Sequence, residues 1–76
     1  MAKGQTVLIV DPDTDFLGWA VKQLTAAELR VLSATRADEA LTIFSSESPD
    51  LVIADTHLAP FTGQELLRRI RDRESN

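Results

Sequence analysis

Val7-Leu8-Ile9-Val10-Asp11-Pro12-Asp13 is a short, β-branched, continuously apolar run broken by an acidic turn that contains a proline. Four apolar residues in succession leave no polar face, so the run reads as a strand covered on both sides, the kind found in parallel sheets. A second such run, Leu51-Val52-Ile53-Ala54, also ends in an aspartate, Asp55. Between them, from Thr14 to about Ala27, Phe16, Leu17, Ala20, Val21 and Leu24 fall at the spacing of one helical face, with Asp13 or Thr14 placed to cap it. Arg30-Val31-Leu32-Ser33 gives a weaker strand, and Thr35-Arg36-Ala37-Asp38 resembles a capping box opening a helix that turns Ala37, Ala40, Leu41 and Phe44 inward until Ser45 to Pro49 end it. After Asp55 a loop runs through Ala59-Pro60-Phe61. Thr62-Gly63-Gln64-Glu65 is a second capping box, and Leu66, Leu67 and Ile70 make the core face of the helix that follows. Strands alternating with helices of this length imply an α/β domain with parallel strands and right-handed crossovers.

At 76 residues the chain holds a single domain, residues 1–76, with no cysteine for disulfides or thiolate metal ligands. No apolar run approaches the roughly 18 residues of a membrane span. The polar start, Met1 to Thr6, lacks the pattern of a secretory signal. The expectation is a soluble, cytoplasmic protein. Its formal charge is −4, and Arg68, Arg69, Arg71 and Arg73 are interleaved with Glu65, Asp72 and Glu74, as on a solvated helix face with pairs such as Glu65 to Arg69. Nucleic acid is not an expected partner.

In an open parallel sheet, ligands bind beyond the carboxyl ends of the strands. Asp11, Asp13 and Asp55 all fall there, and carboxylates crowded on one edge call for a cation; Mg²⁺, a hard ion that takes one or two carboxylates and keeps several waters, suits them. The alternative for Asp13 is simply to cap the first helix. His57 is a single histidine and forms no cluster, so it reads as an exposed loop residue. Trp19 lies off the face defined by Leu17, Ala20, Val21 and Leu24, which marks it as a candidate interface residue.

Val7-Leu8-Ile9-Val10-Asp11, with a further acidic residue and the helix opening at Phe16-Leu17, resembles the start of a response-regulator receiver domain of two-component phosphorelays. Leu51-Val52-Ile53-Ala54-Asp55, Leu58, a proline, Gly63 and Glu65-Leu66-Leu67-Arg68-Arg69-Ile70-Arg71 resemble that family's third strand, phosphoacceptor loop and third helix. The resemblance spans nearly the whole chain. It implies a flavodoxin-like receiver half-domain, a three-stranded parallel sheet of order 2-1-3 with three helices. It also implies that Asp55 holds the phosphoacceptor position and Gly63 that of the loop glycine. Mg²⁺ would be held by Asp11, Asp13, Asp55 and the backbone carbonyl of His57, and a histidine kinase would be the phosphodonor. The sequence departs from the family pattern in three places. Pro12 stands where the second acidic residue belongs, Pro60 comes five residues after Asp55 rather than four, and the family's switch hydroxyl and lysine, which lie in later βα units, have no counterpart.

Two working functions follow: a phosphoacceptor, or a degenerate receiver kept as a dimerisation or interaction module. An enzyme is the third possibility, since Asp11-Pro12-Asp13 fits the D-x-D pair of haloacid-dehalogenase-type phosphatases, although the length argues against it. In the receiver order the third strand lies at an edge. The apolar run through Val52 and Ile53 therefore predicts a homodimer in which the third strands or their faces meet, with Trp19 at the margin.

Overall fold

The computed structural model describes residues 4–74. In chain order they form β1 (Thr6–Val10), α1 (Thr14–Ala26), β2 (Arg30–Ala34), α2 (Ala37–Glu47), β3 (Leu51–Ala54) and α3 (Gly63–Glu74). The three strands are parallel in the order β2-β1-β3, the order the resemblance implied. Because β1 is central, Val7, Leu8, Ile9 and Val10 are all almost wholly buried. At roughly 1.5–3 kcal/mol for each fully buried aliphatic side chain, this one strand is a main stabilising element of the domain.

Alternation along the strands divides the core into two layers. Leu8 and Val10 point to the side of α2 and α3, where they pack with Ala34, Ala37, Ala40, Leu66 and Ile70, and where Val52, Ala54, Leu58 and Phe61 close the layer. Ile9 points the other way, to Leu17 and Ala20 of α1 with Val21 and Val31 beside them. Register pairs Val7 with Leu51 and Ile9 with Ile53, so Leu51 and Ile53 share the α1 face. Both are exposed there, Ile53 at 45%.

The periodic face read for α1 overreaches at Phe16, which is exposed; its ring lies 6.0 Å from that of Trp19, itself 61% exposed as its position off the face predicted. Leu67 of α3, expected in the core, is also exposed. Its neighbours on the helix, Leu66 and Ile70, take the sheet-facing positions.

Helix ends explain the boundaries. The Asp13 carboxylate accepts from the N–H groups of Asp15 (3.0 Å) and Phe16 (3.1 Å), capping α1. At its other end the N–H of Glu28 donates to Thr25 (2.9 Å) and that of Leu29 to Leu24 (3.2 Å), a Schellman closure with Glu28 in the left-handed region at φ 66°. The box expected at Thr35 and Asp38 does not form. Asp38 turns instead to the guanidinium of Arg36 (3.1 Å), a charge-assisted partner two residues away, and Glu39 accepts from the N–H of Thr35 (3.1 Å). At α3 half of the box forms. Thr62 Oγ1 accepts from the N–H of Glu65 (3.1 Å), while the Glu65 carboxylate goes to Arg68 (2.5 Å) and to Arg69 (2.8 Å), the pair read from the sequence.

Candidate functional site

Asp11 and Asp55 follow directly on the last residues of neighbouring strands, and their own backbones prolong the ladder. The N–H of Asp11 donates to Ala34 O (3.1 Å) on one side, and that of Asp55 to Val10 O (2.9 Å) on the other. A rigid sheet therefore sets both side chains at its carboxyl edge, half-buried. Each carboxylate spends one oxygen on the turn that follows it. Asp11 Oδ1 accepts from the N–H of Asp13 (2.9 Å) and Asp55 Oδ2 from the N–H of His57 (3.0 Å). These are local Asx-type closures, which aspartate favours where a strand breaks into a turn. The second oxygen of each has no protein partner among the described residues.

The loop after Asp55 is anchored at three points. The N–H of Gly63 donates to Thr56 O (3.1 Å), the N–H of Ala37 donates across to Ala59 O (2.9 Å), and Phe61 lies in the core layer beneath the guanidinium of Arg69, 3.9 Å from its ring centre. Gly63 is wholly specific to this arrangement. A Cβ built on it would stand 2.1 Å from the carbonyl oxygen of Asp55, 3.0 Å from its carbonyl carbon and 3.1 Å from Thr56 Cα. Only a glycine lets the start of α3 lie directly against the backbone that carries Asp55. The Ala59–Pro60 peptide in this loop is cis.

Of the acidic residues read from the sequence, the fold brings Asp11 and Asp55 onto adjacent strand ends and employs Asp13 as a helix cap, leaving only its Oδ2 uncommitted. Among the described residues no three histidine, aspartate or glutamate side chains are gathered so as to hold a metal ion by themselves. Two carboxylates with one uncommitted oxygen each still suit a hard ion that keeps much of its water shell. His57 is exposed, with Nδ1 3.2 Å from the Thr56 hydroxyl. Lys3 lies outside the described residues; Lys22 is on the exposed side of α1. The sequence reading missed the Ala59 carbonyl and the Phe61–Arg69 stack, and only the second left a trace, the single aromatic ring of the loop between Asp55 and Gly63 apart from His57. At the far end of the loop, hydrogen bonds from Arg68 and then Arg69 hold the Glu65 carboxyl down at about 2.

The D-x-D phosphatase reading finds no support: Asp11 and Asp13 are the two halves of a strand-to-helix turn, and the comparisons point elsewhere. The description "Response regulator receiver domain" matches over residues 7–76. The hydrogenase transcriptional regulatory protein HoxA of Cupriavidus necator is 32% identical over 71 residues, and a two-component response regulator of Arabidopsis thaliana is 36% identical over 69. The matches take in 93% and 88% of this chain but 14% and 18% of those proteins. Among solved structures, a response regulator receiver domain protein from Clostridium thermocellum superposes with a TM-score of 0.87 at 27% identity, over 93% of this chain and 58% of that one. The signal receiver domain of an HD domain-containing protein from Pseudomonas fluorescens gives 0.88 at 28% identity, over 99% and 55%. Strand order, the aspartate at the end of β3, the glycine wedged against its carbonyl and a family match over almost every residue agree, and the chain belongs to the response regulator receiver domain family of two-component signalling.

Proposed function

We propose that Asp55 is a phosphoacceptor. The observation carrying this reading is its carboxylate, set at the carboxyl end of β3 with Oδ2 steadied by the N–H of His57 and Oδ1 uncommitted. Oδ1 attacks the phosphorus of a phosphohistidine on a histidine kinase, or of a small phosphodonor; the P–N or P–O bond breaks, its electron pair leaves with the donor, and an aspartyl phosphate remains. Asp11, Asp55 and the carbonyl of His57 would hold Mg²⁺, with Asp13 able to add its Oδ2. The ion, when bound, neutralises negative charge on the phosphoryl oxygens. Receiver domains of this family interact with histidine kinases or other signalling partners. Among the described residues no helix is long and apolar enough to cross a membrane, and a cytoplasmic setting with no nucleic-acid contact fits the acidic balance.

A second reading, an interaction module that is not phosphorylated, is favoured by Asp13, whose carboxylate is engaged in capping α1. In either reading the partner we propose is a second copy of the chain, with Val52 and Ile53 at the interface and Trp19 near its margin. Beryllofluoride with Mg²⁺ separates the readings. Amide NMR shifts at Asp11, Asp55 and His57 are expected from a phosphoacceptor, and a flat response with both added leaves the interaction module alone.

A further inference from the structure

Helices α2 and α3 pack side by side on one face of the sheet, and a groove of about 500 Å³ runs between them. Its lining comes from α2, α3 and the loop after Asp55, with nothing from β3. The floor is apolar, made by Leu41 and Phe61, both half-buried. The α2 wall offers neutral hydroxyls: Thr42 and Ser45 each bond back to a helix carbonyl, Asp38 O at 3.3 Å and Leu41 O at 3.1 Å. The α3 wall is cationic, because Arg69 and Arg73 stand one turn apart on the same side of the helix. The two differ in what they already hold. Arg69 lies over the Phe61 ring and donates its Nε to Glu65 at 2.8 Å. Arg73 reaches across the groove to the Ser45 hydroxyl, a neutral oxygen, and meets no carboxylate among the described residues. Arg68, by contrast, takes both Glu65 and Asp72. The one acid in the lining, Asp38, is held by Arg36 at 3.1 Å.

We infer that this groove docks an acidic segment of a partner protein, one carboxylate meeting Arg73 and an apolar side chain beside it entering between Leu41 and Phe61. A guanidinium carries its donors in a planar fork that matches a carboxylate, and a charged acceptor makes a stronger hydrogen bond than the neutral oxygen of Ser45. Exchanging one for the other is therefore favourable, and Ser45 keeps its bond to Leu41 O. The floor supplies the anchor, since an aliphatic side chain lying on Leu41 and the Phe61 ring leaves water. A basic segment would face two guanidinium groups and an acid that Arg36 already satisfies, so the charge of the groove excludes it. Nucleic acid, with its close row of phosphates, asks for a broader basic surface than two arginines in a chain of charge −4. That same overall charge repels an acidic guest elsewhere and directs it to this face. A groove this small takes only a few side chains, so the binding is weak and salt-sensitive. It uses neither Asp11 nor Asp55, and stands independently of the phosphoacceptor reading.

The probe is a synthetic peptide with a single leucine flanked by glutamates, titrated at low salt into the 76-residue chain up to about 1 mM, the range of weak complexes, while amide shifts are followed. Saturable shifts are expected at Leu41, Ser45, Phe61 and Arg73, and binding should weaken several-fold at about 0.15 M salt. Arg73→Gln should weaken it about three- to fivefold. Arg71→Gln removes the same charge from another side of α3, beside Pro49 and Leu67, and should leave binding unchanged. Both arginines are exposed, so neither variant threatens the fold. Glutamine in place of the peptide's glutamates, or alanine in place of its leucine, should each weaken binding. The inference is overturned by a wild type without saturable shifts, by shifts centred outside the groove, or by equal effects of Arg73→Gln and Arg71→Gln. Undiminished binding of either altered peptide overturns it as well. An oligonucleotide that moves the same amides at lower concentration than the peptide overturns the choice of guest.

Discussion

Replacing Gly63 by alanine would place a methyl carbon 2.1 Å from the carbonyl oxygen of Asp55, and the atoms it meets are backbone, unable to swing aside as a side chain would. Ordinary carbon–oxygen contact needs more than an ångström of extra room, so either α3 or the loop must shift. Overpacking of this kind costs about 1–3 kcal/mol, and a contact this short belongs at the upper end. The helix propensity of alanine returns at most about 1 kcal/mol. The net expectation is a loss of about 2 kcal/mol, which for a domain of this size lowers Tm by roughly 8–16 °C. Gly18 supplies the internal control. It lies inside α1 with nothing within 4 Å of its would-be Cβ, so Gly18→Ala should stabilise by up to about 1 kcal/mol. Urea unfolding of both variants, with the amide shifts of Asp55 and Thr56 followed in Gly63→Ala, tests the pair. If Gly63→Ala unfolds at the wild-type midpoint with those shifts unmoved, the close approach of α3 to the Asp55 backbone is refuted.

The remaining expectations concern helix ends and charge. Glu28→Gly relieves a non-glycine residue of its left-handed backbone at the Schellman closure of α1 and should raise stability by about 1 kcal/mol, read as a higher urea midpoint at constant slope. Asp13→Ala strips α1 of the acceptor for two N–H groups and should cost about 1 kcal/mol, while Asp13→Asn, which keeps an acceptor oxygen, should recover most of it. The Glu65 carboxyl is depressed from 4.5 to about 2 by Arg68 and Arg69, so its contribution is present in full above pH 4.5 and is lost as pH falls toward 2. Because the cluster is solvent-exposed, this loss is small and shrinks with added salt; helicity at 222 nm should fall over that window in the wild type and stay flatter in Glu65→Gln.

How far the sequence reveals this molecule varies with the distance over which each feature is determined. The four apolar residues of β1 are covered from both sides, and a run with no polar face can hardly sit anywhere but mid-sheet. Six elements follow from local periodicity and turn chemistry, and the strand order from the family resemblance. Periodicity marks an apolar face without saying what covers it, which is why Phe16 and Leu67 were assigned to the core and found in solvent. The box at Thr35 failed for a related reason: Asp38 and Glu39 were both in reach of the helix start, and the position of Arg36 settled which carboxylate was free to accept from it. At the site, Asp11 and Asp55 were legible because aspartates closing buried strands are conspicuous. The division of labour between Asp11 and Asp13 was not, since it depends on the φ and ψ of a single turn. Gly63 could be picked out by its place in a motif, but the reason for it, a helix start lying on the Asp55 carbonyl, exists only in three dimensions.

Helix α2 begins at Ala37 with no side-chain cap from Arg36 before it, and the N–H of Ala37 is satisfied by Ala59, a residue of the loop that follows Asp55. The helix has thus borrowed its first fastening from the loop that Asp55 opens. Any rearrangement that draws Ala59 away leaves an amide at the head of α2 in want of an acceptor, and the opening turn of that helix must fray or find water. Two stretches separated by more than twenty residues are in this way bound to a common fate, and the state of one carboxylate can be felt at a helix it never touches.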